Sequence, residues 1–367
     1  MPSQATNRNR DLTVTSPGSP TTGPKPVRQR ATMKQVALLA GVGTKTVSRV
    51  VNDEPNVSDA MAKRVWEAVA ALDYHVDMQA GSLRRAGGRT RTIGLLISSV
   101  DNPFAGGIHR AVETQARRHG VSVLAASMDE DPEREALGVT EFLRRRVDGL
   151  IITTASRDLS YLVPVAERGI PMVFVDRAPI GLKADAVTSD NRAAAAAGTR
   201  HLIDHGHRHI ALLVDNVSID TAAERRLGFL EELGRAGIPT GEATICIDVH
   251  GAEAAEQLVR SLLDQPDPPT AIFSAQNLIT LGALRALHSL GRQHEVALIG
   301  FDDLPLADLL EPAITVISQD ASAIGEAAAE RLFRRLNGDH LPVEHVTVPA
   351  QLIARGSGEI SPSGLRT

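Results

Sequence analysis

The run Thr44-Lys45-Thr46-Val47-Ser48-Arg49-Val50-Val51-Asn52 carries hydroxyls, an ammonium and a guanidinium at helical spacing. Val47, Val50 and Val51 at i, i+3 and i+4 predict one apolar face, which leaves Thr44, Lys45, Ser48 and Arg49 pointing outward. Such a row of donors suits phosphate oxygens and base edges, and Arg49 can hold a guanine or a phosphate in a two-pronged grip. A second polar set is scattered much further along. Asp176, Thr221, Arg225, Gln276, Asp302 and Gln319 all fall at the ends of apolar strand-like runs or just beyond them. Carboxylates, amides and one guanidinium over an apolar floor are the donors and acceptors a polyol needs, with Arg225 and Asp302 suited to vicinal hydroxyl pairs. Asp303 beside them reads as structural.

Other chemistry is excluded by the same residue-level reading. His201, His205, His207 and His209 include an i, i+4 pair, but no carboxylate or cysteine completes a coordination set, so no metal is expected. Ser98-Ser99-Val100-Asp101-Asn102-Pro103 is neither a glycine-rich cofactor loop nor a nucleophile with its base. No catalytic residue, no enzyme activity and no cofactor is therefore expected. Gly41-Val42-Gly43-Thr44-Lys45-Thr46 looks like a fragment of a phosphate-binding loop, but it follows a helix and lacks the glycine spacing. The run Glu141-Phe142-Leu143-Arg144-Arg145-Arg146 reads as a solvated helix end whose cations complement the dipole.

These residues need elements to position them. Thr32 is an N-cap candidate for a helix carrying Val36, Ala37 and Ala40 and ended by Gly41, and the second helix starts at Gly43 or Thr44. Ser58 is expected to cap a third, with Met61, Val65, Ala68, Val69 and Leu72 inward. Two short helices joined at Ala40-Gly41-Val42, the second with exposed donors, have the anatomy of a helix-turn-helix. From about Thr92 the pattern changes. Apolar runs at 93–97, 121–125, 149–152, 172–175, 210–214, 244–247, 271–273 and 296–299 alternate with helical stretches at 105–118, 132–145, 191–204, 221–236, 251–263 and 277–290. That alternation predicts parallel sheets covered by helices, and so many strands suit two doubly wound subdomains.

The chain has 367 residues, 43% of them apolar and 3% aromatic, enough for several packed units but poor in base-stacking rings. One cysteine, Cys246, excludes a disulfide framework. Residues 1–91 carry 14 Lys and Arg against 7 Asp and Glu, whereas the remainder is acidic, so the net −5 hides a basic head on an acidic body. Residues 1–30 offer almost nothing to bury and read as a disordered arm. No run is long and apolar enough for a membrane span or a signal peptide, which predicts a cytoplasmic protein without a membrane partner.

The stretch Met33–Asn52, continued by Val57-Ser58 and Leu72-Asp73-Tyr74, closely resembles the DNA-binding headpiece of the lactose-repressor family of bacterial transcription factors. The resemblance extends over about residues 32–355. It implies a small all-α helix-turn-helix headpiece at 31–75, a hinge linker at 76–91 and a bilobed α/β body at 92–355 like periplasmic sugar-binding proteins. One lobe would comprise 92–188 plus 321–344 and the other 189–317 plus 345–355, with 356–367 a flexible tail.

On the DNA side Thr44, Lys45 and Arg49 are expected to enter the major groove, with Lys45 as base reader, Thr46 is a further DNA-contact candidate, and the resemblance assigns Thr32, Ser48, Asn52 and Ser58 to phosphates. Leu83 falls where the family wedges a leucine into the minor groove, flanked by Arg84 and Arg85. On the effector side it implies a ligand cleft with Asn102 and Phe104 in the loop after the first strand, together with Asp176, Thr221, Arg225, Gln276, Asp302 and Gln319, the last at a crossover. The partners implied are operator double-stranded DNA, a second copy of the chain in a homodimer, and a small-molecule effector. A sugar or sugar phosphate is the expected effector and a purine or nucleoside the alternative; a solute-binding protein without DNA function is the rival reading. The sequence departs from the family pattern at Gly43 (usually Ser), at Val76-Asp77 (usually Pro-Asn), at Gly81 in the hinge, and at Gln276-Asn277 (commonly Asn-Asp).

Overall fold

The computed structural model describes residues 31–51, 54–74 and 88–362. The chain separates into two units, the first ending at Arg85 and the second starting at Ala86.

In the first unit, helices α1 (Met33–Ala40), α2 (Thr44–Val51) and α3 (Asp59–Ala71) close on Val36, Ala37, Ala40, Val47, Val50, Val65 and Ala68. Thr32 forms a capping box with Gln35, satisfying amides that the first turn of α1 leaves free. Gly41 ends α1 with φ 64°, a left-handed backbone that glycine adopts without steric cost. The Arg64 guanidinium donates to the Ala40 and Gly41 carbonyls, pinning α3 to this turn. Two expectations shift. Ser58 stands at the N-cap of α3 but makes no side-chain cap bond. Met61 is exposed, while Ala62 joins Val69 and Leu72 at the edge of the core, because the inward stripe is set one residue later in the first turn.

The second unit alternates strands and helices in chain order: β1 (Thr92–Ile97), α4 (Pro103–Arg118), β2 (Ser122–Ser127), α5 (Pro132–Arg144), β3 (Gly149–Ile152), α6 (Val163–Glu167), β4 (Met172–Val175) and β5 (Asp185–Ser189). There follow α7 (Asn191–Asp204), β6 (Ile210–Leu213), α8 (Asp220–Arg235), β7 (Thr244–Cys246), α9 (Gly251–Leu263), β8 (Ala271–Ser274), α10 (Asn277–Leu290), β9 (Ala297–Phe301), β10 (Thr315–Ser318), α11 (Ala321–Leu336), β11 (His345–Val348) and β12 (Gln351–Ile353). Two six-stranded sheets result, ordered β11-β5-β4-β3-β1-β2 and β12-β10-β9-β8-β6-β7. Every pairing is parallel except that of β12 with β10. The central strands β1, β3, β4, β6, β8 and β9 are almost wholly buried Val, Ile, Leu, Ala and Phe, as expected of strands covered on both faces.

The chain passes between the sheets after β5, after β10 and after β11. The expected third crossing near 345 is thus corrected: His345–Val348 extends the first sheet by pairing with β5, and the chain leaves it at Pro349-Ala350. The Asp190 carboxylate accepts from the Ala350 amide, tying the first and third crossings together. The tail also departs from expectation up to residue 362. Ser357 is 2% exposed, its hydroxyl donates to the Leu298 carbonyl and accepts from the Thr315 amide, and His207 bonds the Ile360 carbonyl, so this segment packs on the second sheet. Among the described residues no helix is long and apolar enough to cross a membrane.

Candidate functional site

In the first unit, Thr44, Lys45 and Arg49 are exposed on α2, with Thr46 and Ser48 half-buried beside them. Gly43 holds the N-cap position, its carbonyl accepting from the Thr46 and Val47 amides. Thr32 and Ser58 are exposed at the starts of α1 and α3. Arg49 lies 4.0 Å from Glu54, a distance at which a solvated pair yields readily to another anion. Asn52 and Leu83 lie outside the described residues, as do the arm, the linker from 75 to 87 and residues 363–367.

In the second unit, a cavity opens where the carboxyl ends of both sheets face each other, which is where ligands of such sheets bind. Asn102, Asp176, Thr221, Arg225, Gln276 and Asp302 all line it. Gln319 stands one step behind: its amide donates to Asp302 at 2.6 Å. Phe104 does not reach the cavity lining and packs instead against the core of the first sheet. Asn102 caps α4 by accepting from the Phe104 amide at 2.9 Å, and the same oxygen accepts from Asn277 Nδ2 at 2.7 Å, bridging the two lobes. Gln276 caps α10 through its side-chain oxygen. An open groove of about 980 Å³ adjoins the cavity, sharing Asp176, Arg177 and Thr221.

Two backbone details aim the carboxylates. Asp176 and Asp302 have φ of 67° and 70°, left-handed conformations that cost a non-glycine residue about 1 kcal/mol or more and that cluster at functional sites. Each comes just after its strand, β4 or β9, where this turn puts the carboxyl into the cavity wall. Arg225 on α8 is 5% exposed; its Nε donates to Asn191 Oδ1 and one Nη to the Ala275 carbonyl, both at 2.8 Å, and its guanidinium stacks 3.7 Å from the centre of the Phe301 ring. Burial opposes charge throughout. It pushes the Asp176 and Asp302 carboxyls up from the ordinary carboxylate range and the Arg225 guanidinium down, while the opposite charges nearby work the other way.

Sequence reasoning missed Glu130, Arg177 and Asp215, which also line the cavity, and Asn191, which orients Arg225. Glu130 and Asp215 lie beyond the ends of β2 and β6, so the strand-end rule that found Asp176 would have reached them; Arg177 is its immediate neighbour. The histidines take structural places. His207 is buried between Thr270 and the Ile360 carbonyl, and His201 pairs with Glu359 at 2.6 Å. Among the described residues no group of three or more His, Cys, Asp or Glu is arranged to hold a metal. Asp303 is gripped by Arg355 in a two-pronged pair, a fastening between β12's end and the loop after β9.

Residues 32–77 match the family of bacterial regulatory proteins of the lacI type, and residues 90–356 match the periplasmic binding proteins and sugar binding domain of the LacI family. The chain belongs to the LacI family. This LacI-family member is a DNA-binding transcriptional regulator and not an enzyme. It is 36% identical to the HTH-type transcriptional regulator PtxS of Pseudomonas aeruginosa over 90% of this chain and 97% of that protein. It is 32% identical to the ribose operon repressor of Escherichia coli K12, over 89% of this chain and 99% of the repressor. Among solved LacI-family structures, the lac repressor dimer bound to operator and the anti-inducer ONPF superposes with a TM-score of 0.78 at 27% identity, covering 90% of this chain and 99% of that one.

Proposed function

We propose that this regulator represses transcription in the bacterial cytoplasm by binding a roughly palindromic operator as a homodimer, and that a sugar-like effector seated between its two sheets sets its affinity for DNA. The observation that carries the effector half is the convergence of Asp176, Thr221, Arg225, Gln276 and Asp302 on one cavity, from four separate chain segments, in a unit of sugar-binding type. The DNA half rests on Lys45 and Arg49 exposed on the second helix of a helix-turn-helix. Lys45 and Thr44 are assigned to base edges, and Thr32, Ser48, Asn52, Ser58 and the half-buried Thr46 to the phosphate side; Leu83 is assigned the minor-groove wedge. Dimerisation doubles the few base pairs that one head reads and fixes the half-site spacing.

The lobes touch through Asn102 and Asn277, so a ligand between them favours the joined arrangement over an open one by its difference in affinity for the two. Coupling of that equilibrium to the heads constitutes the regulation. The test is anisotropy of labelled promoter fragments titrated with full-length protein, with and without candidate sugars and nucleosides. A change in operator affinity of tenfold or more with a sugar, in either direction, is expected. Equal affinity for random and promoter DNA would overturn the repressor reading, and a response to nucleosides alone would replace the sugar by a purine-type ligand.

A further inference from the structure

The charges around the cavity are unequal. Glu130, Asp176, Asp215 and Asp302 supply four carboxyls, and Arg177 and Arg225 supply two guanidiniums. Both cations already hold protein partners. Glu130 takes the Arg177 fork with bonds of 2.6 and 2.7 Å, and the Thr154 carbonyl takes a third at 2.9 Å. Arg225 gives Nε to Asn191 and Nη1 to Ala275, with its face on Phe301.

The unpartnered atoms point the same way. In the lining, Asp176 Oδ1 and Arg177 Nε are buried without a hydrogen-bond partner, on residues that are 9 and 8% exposed. The first is an acceptor, and burying an unmet acceptor is costly unless a ligand supplies the hydrogen. A hydroxyl both donates and accepts, so a ring bearing several can donate to Asp176 and still accept from Arg177 Nε. A phosphate or carboxylate brings only acceptors. It would face the four carboxyls of the lining, and could take more of Arg177 than its Nε only by stranding Glu130, which is only partly exposed.

Resting on the effector reading above, we propose that the cleft selects an uncharged polyhydroxylated ligand, an unphosphorylated and unoxidised sugar, and that the Glu130–Arg177 pair is the specificity determinant that rejects anionic counterparts. Glu130 acts here by neutralising and immobilising a guanidinium that would otherwise bind an anion.

Calorimetry on the full chain with matched pairs tests this: D-ribose and ribose 5-phosphate, D-glucose with glucose 6-phosphate and D-gluconate, and adenosine with its monophosphate. The neutral sugar of the responding pair is expected to bind at least tenfold more tightly than its anion. Glu130→Gln, which removes one charge and loosens Arg177, should narrow that ratio at least fivefold, mainly by strengthening the anion. Asp215→Asn, at the cavity rim, is expected to narrow it less and serves in place of the first variant if that one misfolds. An anion binding as tightly as its neutral partner, or an unchanged ratio in folded Glu130→Gln, overturns the selectivity proposal while leaving the sugar reading intact. Binding by adenosine alone, or by none of these compounds, overturns the sugar reading itself.

Discussion

Arg157 offers a direct measure of how much the contact between the lobes contributes to ligand binding. It sits in the loop after β3, and that loop is held rigidly: Glu135, fully buried, accepts from the Thr154 hydroxyl, from the Ala155 and Ser156 amides and from the Tyr161 hydroxyl. From this platform Arg157 crosses to the other lobe, where Nε donates to the Ser218 carbonyl and Nη2 meets Asp220 Oδ1, each at 3.2 Å. The ion pair is solvated, with side chains 62 and 39% exposed, so it contributes only a few tenths of a kcal/mol to about 1 kcal/mol. The bond to the carbonyl adds about 1 kcal/mol. Arg157→Ala should therefore disfavour the joined arrangement by about 1–2 kcal/mol, roughly 5- to 30-fold in the closing equilibrium. A ligand requiring closure would bind more weakly by up to that factor. The assay is calorimetry with the tightest neutral sugar, run on wild type, Arg157→Ala, Asp220→Asn and the double variant, at low and high salt. Asp220→Asn should cost less than Arg157→Ala and almost nothing further in its presence, and high salt should shrink the ion-pair share. A dissociation constant within twofold of wild type for Arg157→Ala, or fully additive single effects, would refute the reasoning.

Lys45→Ala should weaken operator binding by about 1–3 kcal/mol while random-sequence affinity changes little, because a base contact is lost; equal losses on both would make Lys45 a phosphate clamp. Gly228→Ala should destabilise the second lobe by about 1–3 kcal/mol in thermal unfolding, since the new Cβ would stand 2.1 Å from the Arg192 carbonyl oxygen where α8 crosses α7; an unchanged melting temperature would show that the helices can part freely. Asp185, 2% exposed, is desolvated, which alone would raise its carboxyl, yet bonds from Arg335, the Glu344 amide and Arg331 hold it below the ordinary range. Its folded value being the lower one, the contribution is complete above the unfolded value of about 3.9 and is lost as pH falls through the folded value. Asp185→Asn should accordingly cost about 1.5–3 kcal/mol at pH 7, because Arg335 loses its two-pronged charged partner and Arg331 is left with Glu344 as its ionic partner, and far less near pH 2; an equal loss at both pH values would contradict the ion-pair account.

The residues themselves determined the local elements. Helical periodicity located α2 through Val47, Val50 and Val51, and uninterrupted aliphatic runs located β1, β3, β4, β6 and β8, because such segments bury the same face in any packed arrangement. They also determined that strand ends would carry the polar groups, which found Asp176, Gln276 and Asp302, whereas Arg225 lies inside helix α8. Tertiary structure decided what has no local signature. Asp185–Ser189 and His345–Val348 are short and partly polar, and they are strands because β5 finds a parallel neighbour in β4 and then supplies one to β11 at the edge of the first sheet. Phe104 was placed by the α4 packing against β1 rather than by its loop, so it left the cavity. The Glu130–Arg177 pair joins residues 47 positions apart, and no pattern of either segment announces it. Pairwise electrostatics of this kind depends on distance and burial, and only the folded arrangement of the two sheets specifies those.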